Sequence, residues 1–476
     1  MTNINIDFSL SMPVSLALTD GSILVLNESR RVLPGRRLVA RAQWQDREVY
    51  AKLFDESATA RREFDRECAG AALLKQHLIA APELLYTGMI SERYPVMIYA
   101  SLDPCQTARE ALSVDAPETP EAGVQRLKQL LTLLAQHHAA GLYQQDMHLR
   151  NFLFKAGIVY TMDAGDIVST DAPLAFSLAL TNLVEFLSLI PAVYEPGLDE
   201  LITCYFGQRA LPVPDLAALR HRVRQEQYRR NRRYLDKLFR TSSAHVASRS
   251  FNRFEVVARD LPEAQQRALA GIQEMFSGPA SFLKRGNSAT VIRASLADRQ
   301  VVIKRYNMKS LWHRLRRCLR PSRAAQSWRN AHQLLSVGID TAQPLAMVES
   351  RFGPLRGRAW LVMDWLDAPH ALDYFADADV SEEDKQQLAQ RLVALLERLA
   401  QQEIVHGDLK ATNFLVVRGR PVLIDLDPMQ WLPGSPEFGR RFSRDLTRFR
   451  QNWQNRPESS LFNRLLEASP VLHPFL

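Results

Sequence analysis

The chain has 476 residues, 46% hydrophobic and 24% charged, and carries a net charge of +8. Those proportions argue for a globular protein of about two to four domains and against disorder as its main state. Its cysteines, Cys68, Cys105, Cys204 and Cys318, are scattered without a CxxC pair, which argues against a zinc site or disulfide framework and for a reducing cytoplasm.

The N-terminal stretch lacks the basic segment and long apolar run of a signal peptide. Val49-Tyr-Ala-Lys52-Leu-Phe54 reads as a short apolar strand carrying one lysine. Pro34-Gly35-Arg36-Arg37 before it is a weak phosphate-loop signal. A helix-like stretch over 61–77 follows, with Glu67 as a partner for Lys52 and Glu63 as its rival one turn earlier. Residues 96–103 read as a strand running into a connection. Leu127, Leu130, Leu131 and Leu134 then mark an amphipathic helix. Next come Gln144-Gln-Asp146-Met-His-Leu-Arg-Asn151 and, beyond an apolar strand, Asp163-Ala-Gly165. The apolar stretch 175–193 is interrupted by Asn182 and Glu185 and reads as buried helix, not as a membrane span.

Residues 220–240 form a strongly basic run, read either as a solvated helix face or as a surface for polyanions. The stretch 241–262 looks like a join. The expected division is 1–245, a linker over 246–262, and 263–476.

The second half repeats the first. Residues 282–292 read as strand, turn and strand, and Val301-Val-Ile-Lys304-Arg-Tyr306 as a second strand with a lysine. A second basic run spans 304–323, with Arg314, Arg316, Arg317, Arg320 and Arg323. Residues 360–367 match 96–103, and Leu388, Leu392, Leu395 and Leu399 mark a helix that opens on Ser381 and Asp384 in a capping-box-like start. Then come His406-Gly-Asp408-Leu-Lys-Ala-Thr-Asn413 and, past an apolar strand, Asp425-Leu-Asp427. Asp to Asn spans five residues in both copies, and Asn to the next Asp spans twelve in both.

An Asp, an Asn five residues on and an Asp after a strand are what a protein-kinase-like phosphotransferase requires. Asp146 and Asp408 are the candidate proton acceptors for an attacking hydroxyl. Asn151 with Asp163, and Asn413 with Asp425, are the candidate Mg²⁺ ligands against the phosphates of ATP, with Lys52 and Lys304 as the phosphate partners. The expected fold is α+β: two tandem kinase-like domains, each with a small strand-rich lobe and a larger helical lobe. GxSxG, HExxH and dinucleotide fingerprints do not occur. His137, His138, His148 and His332 lack metal-ligand spacing and are read as structural.

These residues, above all His406–Leu415 with Leu423–Asp427, resemble the bacterial lipopolysaccharide kinase family, relatives of the Kdo and heptose kinases. The resemblance implies transfer of phosphate from ATP, with Mg²⁺, to a sugar hydroxyl of the lipopolysaccharide inner core at the cytoplasmic membrane face. The glycolipid is then the expected partner, and the basic runs favour an anionic membrane surface over nucleic acid. Two departures stand out. The first copy has Gln144 where the motif has His. The second has Ser327-Trp-Arg-Asn-Ala-His332 where a Glu is expected, so Lys304 needs another partner, for which Asp425 is offered. Asp427 is either a second metal ligand or a surface carboxylate. The second copy is read as the active one, and the first as a working kinase or a nucleotide-binding relic. Rival readings are a kinase of small molecules or proteins and a non-catalytic scaffold.

Overall fold

Alternation of side chains along a strand places the two lysines. In a computed structural model describing residues 12–113, 119–242, 244–277, 281–286, 289–307 and 320–476, the chain divides into two units, 1–227 and 228–476.

The first unit opens with six antiparallel strands: β1 (Val14–Ala17), β2 (Ile23–Leu33), β3 (Arg37–Trp44), β4 (Arg47–Phe54), β5 (Leu84–Ile90) and β6 (Tyr94–Ala100), in the order β1-β2-β3-β4-β6-β5. Val49, Ala51 and Leu53 of β4 face a core with Leu24, Leu26, Val96 and Ile98. With a period of two, Lys52 and Phe54 must face the other way, toward helix α1 (Ala58–Gln76). Phe54 packs there with Ala60, Met97 and Tyr99. Helix α1 is capped by Ser57 and buries Ala60, Glu63, Glu67, Gly70 and Leu74 as one stripe. Gly70 has a steric reason: a Cβ there would lie 1.8 Å from the carbonyl oxygen of Ala164. Helix α1 thus packs directly on the Asp163–Gly165 segment.

The helical part of this unit centres on α2 (Pro120–Ala139), begun by the Thr119 cap and Pro120. Its four predicted leucines are fully buried against α3 (Phe176–Leu187) and α4 (Leu198–Gln208). Each is worth about 1.5–3 kcal/mol of burial. The hairpin β7 (Phe152–Lys155) and β8 (Ile158–Thr161) carries Asn151 at one end and Asp163 at the other.

Helix α5 (Leu216–Lys237) carries the first basic run. Leu219 and Val223 are core residues of the first unit, and Leu235 and Leu238 are core residues of the second. Its arginines 220, 222, 224, 229, 232 and 233 are exposed.

The second unit contains a seven-stranded antiparallel sheet. Its strands are β9 (His245–Arg249), β10 (Arg253–Ala258), β11 (Ser281–Arg285), β12 (Ala289–Leu296), β13 (Arg299–Tyr306), β14 (Pro344–Phe352) and β15 (Leu355–Asp364). The order is β9-β10-β14-β15-β13-β12-β11. Its last five strands repeat the order of β5-β6-β4-β3-β2. The expected linker over 246–262 is instead largely strand: β9 pairs with β10, and β10 with β14. Thr241-Ser242 and Leu261-Pro262, which suggested a join, lie on either side of this hairpin.

Val301 and Ile303 of β13 face one core, and Tyr306 faces the other, against helix α6 (Arg323–Ser336). Helix α7 (Glu382–Gln401) opens on Ser381, whose hydroxyl accepts from the Asp384 amide at 3.1 Å. It buries Leu388, Leu392, Leu395 and Leu399 against α8 (Glu437–Gln451) and α9 (Ser459–Ala468). The hairpin β16 (Phe414–Val417) and β17 (Arg420–Leu423) stands in the same place as β7–β8. Among the described residues no helix is long and apolar enough to cross a membrane.

Candidate active site

Each hairpin spans the twelve residues from Asn to Asp, so hairpin pairing brings its two ends together. In the first unit the Met162 amide donates to the Asn151 carbonyl at 2.7 Å, and in the second the Ile424 amide donates to that of Asn413 at 2.9 Å. Asn151 Nδ2 donates to the Asp146 carbonyl at 2.9 Å, and Asn413 Nδ2 to that of Asp408 at 2.8 Å. That commits the amide nitrogen and leaves Oδ1 of each Asn as an acceptor. The carboxylates at the far end sit on left-handed backbone, with φ of 57° at Asp163 and 60° at Asp425. Asp is among the few side chains that tolerate that region.

The first unit assembles its predicted set. Lys52 Nζ pairs with Glu67 and lies 3.2 Å from Asp163 Oδ1. Glu67 also accepts from the Tyr99 hydroxyl at 3.3 Å and from the Gly165 amide at 3.1 Å. The rival, Glu63, pairs with Arg36 instead. Burial pushes the Asp163 carboxyl up, but Lys52 and then Arg37 outweigh it and hold the group below its ordinary value. Asp146 is exposed on its loop and forms no ion pair among the described residues.

Gln144 takes over the work expected of the missing histidine. Its Nε2 donates to the Met162 carbonyl at 3.3 Å. In the second unit His406 Nε2 donates to the equivalent carbonyl, Ile424, at 3.1 Å, and its Nδ1 accepts from the Asp408 amide at 3.3 Å. Burial holds the His406 imidazole in its neutral form, with its pKa lowered. Both side chains are therefore splints between the loop and the segment before the second Asp.

The second unit assembles a denser set. Lys304 Nζ lies 2.6 Å from Asp425 Oδ1 and 2.9 Å from Asp427 Oδ2. Burial raises the Asp425 carboxyl, but Lys304 outweighs it, so the pKa falls below its ordinary value. Asp427 is not a surface group: at 9% side-chain exposure it is also bonded by Arg323, Tyr306 and Ser327. Asp408 is flanked by Lys410 at 3.0 Å and by Arg448 of α8 at 2.8 Å. Asp445, also on α8, accepts the Gly407 amide at 2.9 and 3.1 Å. Burial pushes its carboxyl up to about 6, against the pull of the amide hydrogen bonds.

Arg448 and Asp445 were not singled out from sequence, and Asp427 was offered there as a metal ligand or a surface carboxylate, not as a partner of Lys304. Asp445 left a signal, since it falls on the apolar stripe of Phe438, Phe442, Leu446 and Phe449, where an acid must find a buried donor. Of the second basic run, Arg314, Arg316 and Arg317 lie outside the described residues; Arg320 is exposed and Arg323 is bound to Asp427. His137, His138 and His332 are buried in packing networks: burial pushes their imidazoles down, to about 3, 4 and 3.

The donor set fits a hard divalent cation. Asn413 Oδ1 and the partly exposed Asp425 carboxylate are both oxygen ligands, which suit Mg²⁺. Among the described residues no three His, Cys, Asp or Glu side chains converge on one point. A cation here would thus have few protein ligands and complete its shell with phosphate and water, the usual habit of Mg²⁺.

Residues 280–459 match the model of the lipopolysaccharide kinase (Kdo/WaaP) family. The match covers less than half of the chain and lies within its second unit. No curated protein sequence matches the chain. Among solved structures, one described as WaaP in complex with acyl carrier protein is similar at 18% identity, over 45% of this chain and 90% of that one, with a TM-score of 0.35. The matched family segment takes in Lys304, Asp408, Asn413 and Asp425 together.

Proposed function

We propose that the second unit is an ATP-dependent phosphotransferase acting on a heptose or Kdo hydroxyl of the lipopolysaccharide inner core. The observation that carries this reading is the convergence of Lys304, Asp408, Asn413 and Asp425 within a segment of a lipopolysaccharide kinase family. Asp408 accepts the proton of the attacking sugar hydroxyl, held in register by the His406 splint and by Asn413. Lys304 binds the ATP phosphates. Asn413 and Asp425 hold Mg²⁺, which when bound neutralises phosphate charge. Lys410, two residues from Asp408 and paired with it at 3.0 Å, is placed to meet the transferred phosphate as it leaves the nucleotide.

The first unit is the second member of a tandem pair, with Asp146, Asn151, Asp163, Lys52 and Glu67 in the corresponding roles. Its intact Lys52–Glu67–Asp163 set supports nucleotide binding. Work on a membrane-embedded glycolipid fits a protein at the cytoplasmic face of the inner membrane, with the exposed arginines of α5 toward anionic headgroups.

The test is ADP release with purified lipopolysaccharide, ATP and Mg²⁺. Asp408→Asn should lower turnover by about two to four orders of magnitude while leaving thermal stability unchanged. Asp146→Asn should leave most of the rate. The opposite ranking would make the first unit the enzyme. Phosphate accepted by a soluble sugar or a protein but not by lipopolysaccharide would change the substrate.

A further inference from the structure

The two lysines are oriented by carboxylates that reach them from opposite sides of the same contact. Helices α1 and α6 end alike: the Ile79 amide donates to Leu74 and the Ile339 amide to Leu334, both at 2.9 Å. Counting back from these ends, Glu67 of α1 corresponds to Ser327 of α6, and Gly70 to Asn330. The second pair verifies the alignment. Gly70 abuts the Ala164 carbonyl, and Asn330 Nδ2 donates to that of Leu426 at 2.8 Å, each the residue after the left-handed Asp. It follows that Gly165 corresponds to Asp427. In the first unit Glu67, on the helix, meets Gly165 at 3.1 Å. In the second Ser327, on the helix, meets Asp427 at 2.8 Å. The carboxylate has crossed the gap.

We infer that Asp427 is the positioning residue for Lys304, standing in for the helix glutamate, and is not a cation ligand. A carboxylate has about four acceptor sites. Those of Asp427 are taken by Lys304 and Arg323 on Oδ2 and by Tyr306 and Ser327 on Oδ1. A cation could enter only by displacing one of these. Both carboxylates on Lys304 then come from one three-residue segment, so the lysine is held without any acid on α6. Displacing α1 would strip Lys52 of Glu67, whereas displacing α6 would leave Lys304 with both of its carboxylates.

This inference rests on the proposed nucleotide site for its meaning but can be tested without it. Competitive acylation of the full-length protein, read by mass spectrometry at the Lys304 peptide, reports how well that amine is held. Without nucleotide, Asp427→Gly should raise Lys304 labelling roughly three- to ten-fold, the scale of losing one charge-assisted contact. Ser327→Glu combined with Asp427→Gly should bring it back to within about two-fold of wild type, since the carboxylate returns from the helix side. The ATP concentration that half-protects Lys304 should follow the same order in EDTA, while Asp427→Asn leaves the Mg²⁺ requirement for protection unchanged. Labelling that ignores Asp427, or a double variant no better than Asp427→Gly, would overturn the inference. So would an Asp427→Asn variant that needs more Mg²⁺ but binds metal-free ATP normally. If ATP protects Lys304 at no concentration, the kinase reading fails, and the labelling arms still decide the role of Asp427.

Discussion

Asp445 joins structure to pH most directly. Its folded carboxyl is pushed up to about 6 from an ordinary 3.8, chiefly by burial. A raised pKa means that its stabilising share is complete below about pH 4 and is lost as pH rises through about 6. The difference corresponds to about 3 kcal/mol at about 1.4 kcal/mol per unit. Asp445→Asn keeps an acceptor for the Gly407 amide and removes the charge. The variant should therefore gain on wild type in melting temperature between pH 4.5 and 7. A constant difference across that range would mean that Asp445 does not titrate there. The residues legible in the sequence were those whose spacing is fixed by a loop and a hairpin: Asp408, Asn413 and Asp425, and their counterparts. Asp427 was visible as a residue but not as a role, because its partners Tyr306 and Arg323 lie 121 and 104 residues away. Nothing local in a sequence records such a contact.

At the scale of elements, periodicity carried most of the reading. The leucine stripes of α2 and α7 and the alternating strands around Lys52 and Lys304 are where the spacing puts them, because burial of one face decides both. The glycine at position 70 was not read, since a glycine within a helix signals only weakness until its neighbour is known. Replacing it by Ala improves helix propensity by up to about 1 kcal/mol. The clash with the Ala164 carbonyl outweighs that gain, so Gly70→Ala should destabilise the first unit by about 1–3 kcal/mol or more. Urea unfolding followed by a first-unit tryptophan, Trp44, measures it. An unchanged or higher midpoint would separate α1 from the Asp163–Gly165 segment.

For the whole molecule, the division falls at 227/228, about twenty residues before the expected one. Helix α5 hid it, because the basic run reads as a single helix of the first copy, with its few buried residues scattered among arginines. Leu235, Leu238 and strands β9 and β10 belong to the second unit's core and sheet. A fragment starting at residue 263 should therefore be insoluble or molten, whereas one starting at 214 should unfold cooperatively. Circular dichroism and thermal melts of the two fragments decide this, and a well-folded 263–476 fragment would show those strands to be dispensable. The crossed carboxylates also bear on the history of a chain that carries two like sequences. Exchange between the halves that moved the helix alone would give one lysine three acids or leave the other with a single one. Only a segment containing both sides of the contact can be copied across with the carboxylates of its lysine intact.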